Sequence, residues 1–250
     1  MNRILLALAC SLSMVGLSLA KIIESDTVLE IKNYLTADYE HTLVIFDIDN
    51  TLAAPKLEIG SDQWVDHLVR EKMKQGLDMQ QAFNAVLPTY FHVQFKIAMH
   101  PVEDLTPLFI KEMQTQGVSV IAITARSIYV ASRTLDQLDD INVKLGVQGY
   151  TNELHLNMPI PCIYMHGVIF SGNNDKGLVL IELLKNIDYL PTKIIFIDDK
   201  LKNLTAVEYA AQKCGIEFIG IRYTRCDERV ANFNPVKAQE QFEMLQQITG

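Results

Sequence analysis

Five short runs of apolar, largely β-branched residues punctuate the chain: 42–47 (TLVIFD), 118–124 (VSVIAIT), 160–165 together with 168–170, 193–198 (KIIFID) and 216–221 (IEFIGI). None alternates cleanly between apolar and polar positions. Each therefore predicts a strand covered on both faces, the environment of a parallel sheet. Between them, apolar residues return with helical spacing over 103–116, 127–138, 177–186 and 203–213. Strand alternating with helix predicts an α/β fold, a doubly wound, Rossmann-like and mostly parallel sheet. A last amphipathic stretch at 235–248 predicts a helix packed on the outside.

The rhythm breaks once. Roughly 70 residues separate the first run from the second, far more than one crossover helix needs. Within them, 61–85 has helical periodicity, with Ser61 and Asp62 as N-cap candidates and Gly76 and Asp78 marking a break between two helices. This predicts a small helical cap at about 56–102, inserted after the first strand of one domain spanning 21–250. Ligands of open α/β sheets bind beyond the carboxyl ends of the strands, so the cap is expected to overhang the site.

The N-terminus adds a location. Met1-Asn2-Arg3 is followed by a stretch free of charge up to Ala20, and Ser18-Leu19-Ala20 ends it in the pattern that signal peptidase accepts. A signal peptide over 1–20 is expected, with export to the periplasm or beyond and no stable membrane association after cleavage. The chain has 30 acidic and 22 basic residues, a net charge of −8, which repels nucleic acid at long range. A small phosphorylated molecule held in a locally positive pocket stays compatible with that surface. Of the cysteines beyond the leader, Cys214 and Cys226 form the candidate disulfide and Cys162 is left over. No His or Cys spacing suggests zinc.

Candidate chemistry collects where the apolar runs end. The first run closes as Phe46-Asp47-Ile48-Asp49-Asn50-Thr51-Leu52, with two carboxylates one residue apart. Acids that close repel and call for a cation or a shared proton. The second run ends in Thr124-Ala125-Arg126, Lys176 precedes the next helical stretch, and the fourth run ends in Asp198-Asp199. Acid pair, hydroxyl, lysine and second acid pair in that order would surround a phosphoryl group with the charges its transfer needs.

In these motifs the chain resembles the haloacid dehalogenase superfamily, over about residues 43–221, and its arrangement is similar to the exported acid phosphatases of that superfamily. The segment Gly60-Ser61-Asp62-Gln63-Trp64 also resembles secreted members found in intracellular bacteria. The resemblance implies that Asp47 attacks phosphorus to form an aspartyl phosphate, and that Asp49 protonates the leaving oxygen and then activates water. It implies Mg²⁺ held by Asp47, the backbone carbonyl of Asp49, and Asp199 or Asp198, with Asp199 favoured and Asp198 in support. Thr124 would bind a phosphoryl oxygen and Lys176 would neutralise nucleophile and phosphate. Arg126 is a candidate for the substrate's phosphate or a second anionic group, and Trp64 for stacking on a substrate ring or for helix packing. Asn50 is expected to stabilise its turn. The function implied is a Mg²⁺-dependent phosphomonoester hydrolase; the alternative is a non-catalytic protein that uses the same fold for binding.

Overall fold

Successive residues of each central strand go to opposite faces of one sheet, and both faces are apolar. The computed structural model describes residues 20–187 and 189–249. In chain order the elements are β1 Ala20–Ser25, β2 Thr42–Phe46, β3 Ala53–Pro55, α1 Asp62–Lys74, α2 Met79–Gln94, β4 Met99–Pro101, α3 Thr106–Thr115, β5 Ser119–Thr124, α4 Ala131–Asp140, β6 Leu154–Leu156, β7 Cys162–Met165, β8 Val168–Phe170, α5 Lys176–Asn186, β9 Lys193–Asp198, α6 Leu201–Lys213, β10 Glu217–Tyr223, α7 Asp227–Ala231 and α8 Pro235–Thr249.

The main sheet runs β1-β10-β9-β2-β5-β8-β7-β6. It is parallel from β1 to β8 and antiparallel in its last two pairings. Val44 and Phe46 of β2 face one layer, with Phe109 and Met113 of α3 and Leu138 of α4. Leu43 and Ile45 face the other, with Leu183 of α5 and Leu204 and Val207 of α6. This is the doubly wound α/β architecture that the unbroken apolar runs predict, because a strand buried on both sides has no polar face to show.

Three features depart from the expectation. The edge strand β1 pairs with β10 from Ala20↔Phe218 to Ser25↔Tyr223, in a segment with too short an apolar run to announce itself. Residues 162–170 form an antiparallel hairpin, β7–β8, in which β8 alone pairs in parallel, with β5. Its reversal is set by His166 and Gly167, both left-handed at φ 47° and 81°, and a Cβ on Gly167 would lie 2.3 Å from the Leu145 carbonyl carbon. Third, Cys162, Cys214 and Cys226 are all free thiols, so the Cys214–Cys226 pairing is corrected. Cys214 sits before β10 and Cys226 after it, and seven extended residues between them span about 20 Å, well beyond disulfide reach. The leader expected over 1–20 lies outside the described residues except for Ala20.

The stretch after β2 leaves the sheet through the short ribbon β3–β4, in which Ala53 faces Pro101 and Pro55 faces Met99. Helices α1 and α2 lie between those two strands. Ser61 caps α1 through its hydroxyl, and Asp78 with Gln81 forms a capping box on α2. The C-terminal helix α8 covers α1: Trp64 and Phe242 meet with ring centroids 6.0 Å apart, and Gln241 accepts from the Glu58 and Ile59 amides. Trp64 is 3% exposed and belongs to the core cluster, so of its two candidate roles it fills helix packing and not stacking on a substrate ring. Trp64→Ala is expected to cost about 3–5 kcal/mol in urea unfolding, since it empties a core position between two helices. A cost below about 1 kcal/mol would show that α8 does not anchor the insertion through this ring.

Candidate active site

Four chain segments reach the site from the carboxyl ends of parallel strands. Asp47 follows β2, and its amide donates to the Ile197 carbonyl of β9 (2.9 Å), which ties the first acid to the neighbouring strand. The turn that follows passes through Asn50 at φ 59°, a left-handed position that Asn tolerates, with the Asn50 amide donating to Ala53. Thr124 ends β5 and Asp198 ends β9. Lys176 opens α5 after the Asp175 cap, whose side chain accepts from the Leu178 amide. Gly177 allows α5 to meet α6, because a Cβ there would lie 2.3 Å from the Ala206 carbonyl oxygen.

These placements bring the predicted charges together. Lys176 Nζ donates to Asp47 Oδ1 (2.6 Å) and to Asp198 Oδ2 (2.7 Å), with all three side chains buried. Burial works against the charge on Lys176, but Asp198 and Asp47 outweigh it and raise its pKa above the ordinary lysine value. Burial pushes the Asp47 carboxyl up, Asp198 and Asp199 add to that, and Lys176 opposes them.

The two acids ending β9 have different environments. Asp198 also accepts from the Lys200 amide (2.7 Å) and from Asn203 Nδ2 (2.9 and 3.0 Å), so both its oxygens are engaged. Asp199 has a distant contact from Asn50 Nδ2 (3.5 Å), and its Oδ1 is buried without a hydrogen-bond partner. Burial, with Asp198 and Asp62 nearby, pushes its pKa up to about 7. Asp47, Asp198 and Asp199 each offer an oxygen within 4.8 Å of the others. An orphaned buried carboxylate oxygen beside two more acids fits a hard divalent cation with oxygen ligands. Asp47 and Asp199 are the residues free to ligate it, and Asp198 is committed to orienting Lys176.

Arg126 departs from its expected role. Its Nε and Nη2 donate to Asp49 Oδ2 and Oδ1 (2.9 and 2.8 Å), while Nη1 donates to Thr134 (3.0 Å) and Gln137 (2.7 Å). The remaining Nη2 proton faces Met99 Sδ at 4.0 Å. All five N–H groups are engaged, so the expectation that Arg126 binds the substrate's phosphate is corrected to a bidentate hold on Asp49. Thr124 is buried, and its hydroxyl accepts from the Arg126 amide (3.1 Å), which shapes the turn and leaves its own proton to donate.

A cavity of about 310 Å³ opens above these groups, with Asp47, Asp49, Lys176 and Arg126 at its base and residues of α1 and α2 opposite. Lys200, beside the second acid pair, reaches Asp62 at the start of α1 (2.5 Å) and so joins sheet to insertion across the cavity. Asn203, Lys200 and Asp62 were not legible beforehand as site residues. Only Asn203 left a local trace, one helical turn after an acid pair; the Lys200–Asp62 contact spans 138 residues of sequence.

Residues 24–249 match the family model described as "Protein of unknown function (DUF2608)". A Chlamydia pneumoniae protein named "Putative outer membrane protein" is 30% identical over 80% of this chain and 76% of its own length. A Chlamydia trachomatis protein of the same name is 26% identical over 91% and 86%. An uncharacterised Rickettsia prowazekii protein is 27% identical over 89% and 84%. A solved structure from Clostridium difficile, described as a "Putative Phosphatase", covers 77% of this chain and 98% of its own with a TM-score of 0.44 and 14% identity.

Proposed function

The chain belongs to the family described as "Protein of unknown function (DUF2608)", and we propose that it is an exported, Mg²⁺-dependent phosphomonoester hydrolase of the haloacid dehalogenase type. The observation that carries this reading is the Asp47 carboxylate. It is buried at the end of β2, held by Lys176 at 2.6 Å, next to an orphaned Asp199 oxygen and at the base of the cavity.

Asp47 is the nucleophile. Its Oδ1 is occupied by Lys176, which leaves Oδ2 to attack phosphorus and expel the alcohol, giving an aspartyl phosphate. Lys176 holds positive charge at the attacked centre, where the phosphoryl group brings negative charge. Asp49 stands at the alcohol side, its carboxylate oriented by the Arg126 fork. In its protonated form it gives that proton to the departing oxygen, and the carboxylate this leaves takes one from the water that attacks the acyl phosphate in the second step. The Thr124 hydroxyl donates to a phosphoryl oxygen. Mg²⁺, held by Asp47, Asp199 and the Asp49 carbonyl, supplies charge neutralisation for phosphate and acids when bound.

Export is supported by the leader expected at 1–20 and by relatives named for an outer membrane. No helix among the described residues is long and apolar enough to cross a membrane. The test is phosphate release by the purified protein from a panel of small phosphomonoesters at acidic and neutral pH, with Mg²⁺ and with chelator. Release with Mg²⁺ that stops on chelation and returns on adding the ion is expected. Silence across the whole panel would end the enzymatic reading.

A further inference from the structure

We infer that the alcohol part of the substrate is a compact apolar group, best a single aromatic ring, received by Phe83, Leu87 and Phe91 of α2. The inference rests on the phosphatase reading of the same cavity and adds to it a substrate class.

Helix α2 has a broad apolar side. Ala82, Val86, Tyr90 and Val93 are buried against the protein, with helical spacing, and Tyr90 of that face also reaches the cavity lining. Phe83, Leu87 and Phe91 recur at every fourth position beside that face, line the cavity and are half-buried, with Phe83 and Phe91 also resting against the core clusters. The surface these three residues leave uncovered is the apolar part of the cavity wall. It lines the same cavity as Asp47 and Lys176 and is the apolar lining available to the organic part of a phosphate ester.

Polar side chains flank the stripe, and Asp66 of α1 lines the same cavity. Gln80 donates to Asn84 (3.0 Å) along the flank of the stripe, and Asp62 is engaged by Lys200. Phe91 also meets Tyr129, a residue of the turn after β5, with ring centroids 5.9 Å apart. Tyr129 is 71% exposed. A volume of about 310 Å³ sits at the small end of ligand sites. It accommodates one phosphate with one ring.

Binding of two unreactive phosphonates separates the contribution of the wall from the reactivity of a leaving group. Titration calorimetry with the full protein and Mg²⁺ would compare benzylphosphonate with methylphosphonate, which share a charged head. The benzyl compound is expected to bind about 10-fold tighter or more, the range a filled apolar pocket confers. That ratio should fall toward one in Leu87→Asn and in Phe83→Ala. Equal affinities in the unsubstituted protein, or a ratio that survives both substitutions, overturn the inference while leaving the phosphatase reading in place. If inorganic phosphate and both phosphonates fail to bind, the site does not hold a phosphoryl group, and the reading and the inference fall together. Should either variant misfold, the ratio in the unsubstituted protein still decides.

Discussion

Replacing Asp47 by Asn is expected to lower phosphate release by about 10⁴-fold or more, the scale on which removal of a covalent nucleophile acts. The amide keeps the shape of the side chain and loses the attacking oxygen. The same change should leave the fold intact. Lys176 retains Asp198 at 2.7 Å, so its ammonium is not left unpaired, and one of three crowded acids becomes neutral. Thermal unfolding in chelator is therefore expected at a temperature no lower than that of the unsubstituted protein. Activity loss with preserved stability identifies the nucleophile. Activity within tenfold of the original would transfer that role elsewhere, and a large drop in stability would show that Lys176 depends on Asp47 for its place.

That separation is possible because the site divides its acids by environment. Asp198 has its oxygens filled by Lys176, Asn203 and the Lys200 amide, while Asp199 has a buried oxygen with no partner. In sequence the two are adjacent and indistinguishable as carboxylates. What the chain does reveal is the position of each group at the end of an apolar run, since a parallel sheet brings all its carboxyl ends to one edge. Asp47, Thr124 and Asp198 were legible for that reason, and Lys176 only as the residue opening the next helical stretch.

Other parts were legible only in outline or not at all. The runs at 42–47 and 193–198 locate β2 and β9 almost to the residue, because burial on both faces leaves a strong local signal. Strand direction leaves no such signal, and the hairpin at 162–170 emerges from two left-handed residues that its apolar content does not reveal. The insertion's helices were visible through their caps, but the apolar cavity lining of α2 was not. An apolar residue facing a cavity and one facing a core look alike along a chain. Trp64 shows the converse, an aromatic residue of the insertion that turns into the core against Phe242.

Arg126 is where long-range geometry changes the reading most, and its substitution is the other large effect. It donates two bonds to Asp49 and connects through Gln137 to Gln94, whose own side-chain amide holds the Gly60 carbonyl at 2.7 Å. The acid opposite the nucleophile is thus wired to both ends of the insertion. Arg126→Met leaves the Asp49 carboxylate buried without its partner and is expected to cost about 3–5 kcal/mol in urea unfolding. Asp49→Asn in the same chain removes the stranded charge and should recover part of that loss, giving a coupling of about 2 kcal/mol in a double-mutant cycle. Activity should not return in the double variant, since the proton carrier is gone. Arg126→Lys keeps the charge but not the fork and should leave the protein folded with turnover reduced by about 10²-fold, because Asp49 is then poorly aimed. If Arg126→Met unfolds within about 1 kcal/mol of the unsubstituted protein, or the two substitutions act additively, the guanidinium is not what holds Asp49 in the site.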